Sequence, residues 1–594
     1  MHLKRILNSS THKVLISLTL ILISILLSPI NKADFISLSG AETATNIAEI
    51  EIQKGTLHIT FEISANDANM FWPEIEQTPD IYLLKQSALK QKVFKFQIKS
   101  GVKSIKPSKL SIRVAQRKQR NSPFAGQTDP RTGIKVPDFP SDKKVLLTQL
   151  EYPVSGVSDL EMKPPMGSDG LASVTIGFTS RHGQTPVSGF HYLSKPESFT
   201  IDWDDPWNTH FKNTDISRHN RHPLKSFLYV EPRQIRHEIL LRTKDLMEWT
   251  NHPFDAWQPL SPENKTFLHH TVRNYLYNKN PTTIDQALSQ PSSIETVFLR
   301  ANNNGYTQIS ENETIEMGSV LIGYREKFSI EEFPQSVTVD WNLFTDTISS
   351  VPTLIQDPAG PFPNHVIPAF PDIQWHNYLY DYRPPNSDPL VIETPSLAIP
   401  MAILFSFLII TIIVLTLSTK HSLPGRKGSA IIYTIIILSA GALYFNLPEE
   451  YRVNLPGTAK KRDLGRVTEQ LLLKVAAAYK EPLSINLELK LKNLITKDGF
   501  ENTYTNLTQI YRPQTTSGSL GSISAITNLR VEYSNQINLN GNKGFRLITS
   551  WQAVIEEQSW GHFEQKPQKT RANIDIVQSD NYWKIARFTP LSVR

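Results

Sequence analysis

Residues 397–417 read LAIPMAILFSFLIITIIVLTL and residues 430–447 read AIIYTIIILSAGALYFNL, and neither run carries a charge. Each approaches the ~20 apolar residues that a helix needs to cross ~30 Å of hydrocarbon. Between them the loop 418–429, STKHSLPGRKGS, holds Lys420, Arg426 and Lys427 and no acid. Short cationic loops favour the cytoplasmic side. The pattern therefore predicts a transmembrane helix at 397–417, a cytoplasmic loop and a second transmembrane helix at 430–447. Both helices lack Asp, Glu, Lys, Arg and His, so the hairpin reads as an anchor and not as an ion pathway.

The amino terminus carries a second export signature. Lys4, Arg5 and Lys13 precede the apolar run Val14–Leu27, the order of a secretory signal peptide. Asn31-Lys32-Ala33 offers no small residue three before a cut, which leaves a signal peptide and an uncleaved N-terminal anchor both open for residues 1–33. The absence of cysteine excludes disulfides, thiolate metal sites, cysteine nucleophiles and a lipoprotein anchor. A net charge of +6 over 594 residues does not point to nucleic acid. The expected location is the bacterial inner membrane, with the bulk of the chain periplasmic and the bilayer itself as one partner.

Residues 34–205 read as a β-rich exported domain, because short runs alternate apolar and polar residues. In Val93–Lys99, Phe94, Phe96 and Ile98 share one face and Lys95, Gln97 and Lys99 the other. Between Ile81 and Thr128 there are twelve basic residues and no acid. This is a surface for anionic headgroups or an acidic partner, or simply the solvated face of strands, which the run of single lysines favours. Residues 206–396 read as a second, mainly β domain with one helix near 261–279. Ser261 there suits an N-cap and Pro262 the first helical position.

Histidines crowd the stretch that joins these domains. His210, His219 and His237 are the candidate metal ligands, with Asp202, Asp204 and Asp205 nearby. Their spacing does not enforce convergence, and His237-Glu238 opens a zinc-protease pattern whose second histidine is replaced by Leu241. No metal and no other cofactor is therefore expected.

Residues 455–594 alternate at helical spacing first and at strand spacing later. Leu464, Val467, Leu471 and Val475 mark one helix face; Leu547, Thr549, Trp551 and Ala553 mark a strand. Asn540-Gly541 is a hairpin signal. Three helices followed by four strands, with Trp551, Trp560, Gly561 and His562 in WQAVIEEQSWGHFEQKPQ and a closing YWKIARF, resemble the nuclear transport factor 2-like (cystatin-like) α+β fold. The whole chain, including DWDDPWNTHF, FLYVEPRQIRHEILLR and DPAGP, also resembles a family of bacterial inner-membrane envelope proteins with no assigned activity. The resemblance implies architecture and not chemistry.

The expected fold class is thus a multidomain membrane-anchored protein. It has a sandwich-like β-rich exported region, a two-helix transmembrane hairpin and a C-terminal nuclear transport factor 2-like domain. In that last domain His562, Glu556 and Asp575 are the candidate acid–base residues of a cone pocket. No G-x-S-x-G, Walker A, G-x-G-x-x-G or complete HExxH motif occurs. The function expected is a scaffold or binding protein with an envelope protein partner. A hydrolase-type enzyme, sited in the cone or in the histidine-rich 200–240 region, is the alternative.

Overall fold

The computed structural model describes residues 39–392 (less 121, 123–124, 129–132, 134, 217, 219–221 and 303–304), 396–400, 450–454 and 461–594 (less 482–483, 514 and 516–520). The first domain is two β-sheets facing each other. In spatial order the six-stranded sheet runs Lys109–Gln116, Lys144–Pro153, Thr56–Ile63, Asn46–Gln53, Ile176–His182 and Thr185–Tyr192. Only the pair Asn46–Gln53 and Ile176–His182 is parallel. The five-stranded sheet runs His210–Phe211, Glu197–Thr200, Asp159–Lys163, Gln97–Ser100 and Lys103–Ile105. Alternation puts Ile50, Ile59, Phe61 and Phe178 of one sheet and Ile98, Leu160 and Phe199 of the other into a single core. That core runs on to Ile216, past the expected division at 205.

The basic stretch between Ile81 and Thr128 is partly neutralised by acids that come from elsewhere in the chain. Lys92 pairs with Glu74, Lys109 with Glu151, and Arg117 with Asp142. Arg120, nearly buried, bridges Glu49 and Glu62 at 2.9 and 2.8 Å. The charge run in sequence is thus reduced in space by pairing at these four positions.

The middle domain is built on a seven-stranded sheet ordered Gly305–Gln308, Ser293–Asn302, Leu321–Ser329, Gln234–Arg242, Leu224–Glu231, Val351–Asp357 and Gly360–Val366. A four-stranded sheet and the helix Pro262–Leu276 complete its core. The Ser261 hydroxyl accepts from the Asn264 amide at 3.2 Å, and Leu268, Val272 and Leu276 bury the inner face of the helix. Trp375 is buried here with its indole N–H on Asp357 at 3.0 Å, while Tyr378 and Tyr380 are exposed.

The expected two-helix transmembrane hairpin is not supported. Among the described residues no helix is long and apolar enough to cross a membrane, and the elements described are mostly β-strands. The segments 401–417, 418–429 and 430–447, and the N-terminal segment 1–33, lie outside the described residues. Where description resumes it is not helical: Ser396–Pro400 is a strand paired antiparallel with Glu450–Asn454, Leu397 opposite Val453. Hydropathy cannot distinguish an apolar strand from an apolar helix end, and Pro400 disfavours the α conformation at Ile399. The membrane-anchored fold class, the transmembrane helices and the inner-membrane location are corrected on this finding.

Beyond residue 460 come the helices Lys461–Ala478, Ser484–Leu494 and Phe500–Tyr511, then the strands Ser522–Leu539, Asn542–Ser559, His562–Ser579 and Tyr582–Val593. The strands are antiparallel neighbours in chain order, and Leu390–Val391 adds to the outer edge of the last. The helices cover one face, and Tyr511, Trp551 and Phe588 fill the space between helices and sheet. Eighteen-residue strands reach roughly 60 Å at ~3.3 Å per residue, longer than the helices can cover. The hairpin of Asn542–Ser559 and His562–Ser579 consequently carries its tip beyond that core.

Candidate functional site

Leu224–Glu231, Gln234–Arg242 and Leu321–Ser329 lie inside the seven-stranded sheet and are buried on both faces. The period of two sorts their residues. Leu228, His237, Ile239 and Tyr324 face the domain's own core. Phe227, Tyr229, Leu240 and Leu321 face outward and form a second apolar cluster, which is completed by Trp560 from the C-terminal hairpin.

Trp560 and Gly561 are the two turn residues of that hairpin, with φ of 54° and 75°. The other two hairpins of the same sheet turn on Asn540-Gly541 and Asp580-Asn581, also at positive φ. Asn, Asp and Gly tolerate that backbone, whereas a bulky tryptophan there costs about 1 kcal/mol. What offsets the cost is docking. The Trp560 amide donates to Glu238 Oε2 at 2.6 Å, and the Gly561 amide to the Tyr229 hydroxyl at 2.9 Å. Arg236 donates to the Gln558 carbonyl at 2.7 Å. The Arg325 guanidinium lies 4.8 Å from the centre of the Trp560 ring, which is 1 % exposed.

Two glycines are required by this contact. A Cβ on Gly323 would come within 2.4 Å of the Trp560 ring, and one on Gly561 within 2.4 Å of the Phe227 ring. Either would push the tip out of its seat.

The seat is held by buried charge. Glu238 is fully buried and takes Arg325 at 2.6 Å and Arg236 at 3.3 Å. Glu295 takes a second nitrogen of Arg325 at 3.1 Å and also pairs with Lys327. Burial opposes the charge on Arg236, but Glu231 and Glu238 outweigh it and raise its pKa. Burial, then Glu238, raises the Tyr229 phenol well above its ordinary range, so it stays neutral and accepts from Gly561. A second link, Arg233 to Glu481 at 3.6 Å, also joins the two domains.

On the opposite sheet face Ser226 Oγ sits 2.9 Å from His237 Nε2, and His237 Nδ1 sits 4.0 Å from Glu326 Oε2. The order is that of a nucleophile, a base and an orienting acid. Ser226 and His237 are both fully buried, and Trp341 stands edge-on to the imidazole. Burial holds His237 down to about 4 and pushes Glu326 up to about 7, so both favour their neutral forms. Tyr324 donates to Glu326 at 3.0 Å. The line is two separate core hydrogen bonds, Ser226 with His237 and Tyr324 with Glu326, between which His237 Nδ1 makes none, and the burial of Ser226 leaves no route for a substrate to it in this structure.

The residues expected to act are not brought together. His562 and Asp575 lie thirteen residues apart on one strand, roughly 43 Å at ~3.3 Å per residue. Asp575 is buried in a bidentate pair with Arg546 at 2.8 and 2.9 Å. Glu556 accepts from Gln565 on the adjoining strand at 2.7 Å. His562 stands 3.8 Å from Glu564, beside the docking tip. Of the expected metal ligands, His210 is turned to the carbonyl of Asn208 at 2.6 Å, His237 lies in the middle core, and His219 is outside the described residues. Among the described residues no group of three or more His, Asp or Glu gathers to hold a metal.

Sequence reasoning passed over Arg236, Arg325 and Gly323, and met Glu238 only as part of the incomplete zinc-protease pattern. One signal was present: Arg-His-Glu inside the otherwise apolar strand 234–242 requires partners on both sheet faces. Against known proteins, the chain matches no family model and no curated protein.

Proposed function

We propose that this protein is a non-enzymatic binding scaffold. Its C-terminal domain, which we assign to the nuclear transport factor 2-like class, is held on the middle β domain by the Trp560 tip. The observation that carries this reading is the seating of Trp560 on Glu238, which couples two domains through a fully desolvated contact. The groups best suited to acid–base chemistry are engaged in structural pairs, Asp575 with Arg546 and Glu238 with Arg325. A protein partner is the matching expectation, since a stiff pair of domains presents a larger fixed surface than either alone.

The hydrolase alternative draws on the Ser226–His237–Glu326 line. One experiment separates the two. The full chain and its Ser226→Ala, His562→Ala and Trp560→Ala variants are compared for complementation of a deletion strain and for crosslinking to a partner. A scaffold keeps both functions in the first two variants and loses crosslinking in the third. Loss of complementation in Ser226→Ala with crosslinking intact would favour hydrolysis and overturn the proposal.

A further inference from the structure

On the outward sheet face, two residues before Phe227, Lys225 is 7 % exposed. Its ammonium donates to the Tyr306 hydroxyl at 2.8 Å and lies 5.5 Å from the centre of that ring. An ammonium has three protons to donate, and Tyr306 takes one. Among the described residues no carboxylate pairs with Lys225. The nearby acids are committed elsewhere: Asp245 to Arg242 at 2.6 Å, and Asp205 to Arg242 at 3.1 Å and Lys244 at 3.6 Å. A desolvated cation without a counter-charge is costly, so its presence in a pocket calls for a ligand explanation.

The pocket beside it is lined by Lys225, Tyr306, Trp207, His222, Arg242 and Leu240. Its inner space, about 10 Å³, takes one water or one oxygen atom. A ligand would seat a single oxygen inside and leave its remaining atoms at the mouth, beside the exposed His222. Burial, His365 and Lys225 all lower the pKa of that imidazole, so it stands there as a neutral donor or acceptor.

We propose that this pocket binds a small oxyanion, a phosphate or a carboxylate, through the Lys225 ammonium and the Tyr306 hydroxyl. The Leu240 wall and the Trp207 ring exclude water around the contact and strengthen it. The site lies on the face that seats Trp560 but shares none of the Glu238 contacts, so it does not depend on the scaffold reading.

The test is thermal denaturation of the full chain at constant ionic strength in chloride, acetate or phosphate, for the native protein, Lys225→Met and Tyr306→Phe. The native Tm is expected to rise by about 3 °C in ~20 mM phosphate or acetate relative to chloride. A response to phosphate alone identifies a phosphate site, and one to acetate alone a carboxylate site. Lys225→Met should fold, because it removes a buried charge and keeps an apolar stem, and should lose the response. If Lys225→Met does not fold, Tyr306→Phe decides the matter, since it removes the hydroxyl that shares the ligand with the ammonium and should reduce the shift by at least half. No oxyanion response in the native protein, an equal response in Lys225→Met, or an undiminished response in Tyr306→Phe would overturn the proposal.

Discussion

The Trp560 backbone amide donates to the Glu238 carboxylate at 2.6 Å across 322 residues of chain. The same carboxylate holds Arg325, whose guanidinium covers the Trp560 ring. One buried acid therefore satisfies the turn and positions the cation that stacks on it.

Glu238→Gln should uncouple the domains. It leaves Arg236 and Arg325 buried without their shared counter-charge, a loss of about 3–5 kcal/mol. Urea denaturation followed by domain-specific proteolysis should show one cooperative transition in the native protein splitting into two. A single transition at the native midpoint would contradict the role given to Glu238.

Gly323 and Trp560 should be energetically coupled. Gly323→Ala should cost more than about 2 kcal/mol in the native protein because a Cβ falls 2.4 Å from the indole. In a Trp560→Ala background the same change should cost less than about 1 kcal/mol, leaving a clear interaction energy in a double-mutant cycle. Equal costs in the two backgrounds would show that the clash is not with Trp560.

Glu326 should make the middle domain less stable as pH rises. Its folded value of about 7 lies above its ordinary 4.5, so the folded state binds the proton more tightly than the unfolded one. Stability from this group is then full below about pH 4.5 and is lost as pH rises towards 7. His237 acts in the other direction: held down to about 4 from 6.5, it lowers stability as pH falls through that window. Glu326→Gln keeps an acceptor for Tyr324 and should stabilise the protein by roughly 2–4 kcal/mol at pH 8, with the gain vanishing near pH 4. A gain independent of pH would point to packing and not to charge.

Asp575→Asn should affect stability alone. The carboxylate is buried and paired with a half-exposed Arg546, so its loss should cost about 1–3 kcal/mol in chemical denaturation. Crosslinking to a partner, measured on the folded fraction, should be unchanged.

Local chemistry made several elements readable from the chain. Ser261-Pro262 marks a helix start because the cap and the missing amide act within one turn. Asn540-Gly541 marks a hairpin because both residues tolerate positive φ. The helix Lys461–Ala478 and the strand Asn542–Ser559 follow from apolar period alone. The apolar runs at 397–417 and 430–447 were legible as hydrophobic and no further. Their length suggested helices, yet residues 396–400 form a strand, since pairing with Glu450–Asn454 depends on residues far away in sequence.

Everything at the candidate site was decided by tertiary structure. Trp560-Gly561 is a poor turn sequence by local rules, and it is stable only because Glu238, Tyr229 and Arg325 arrive from strands more than 200 residues away. His237 resembled part of a metal motif but is buried against Ser226 and Trp341. Lys225 looked like any strand lysine, and the sheet face that buries it is formed by strands from both ends of the domain. Backbone preference acts over a few residues and leaves its mark in sequence. Desolvation and charge pairing act through space, and no window of the chain contains them.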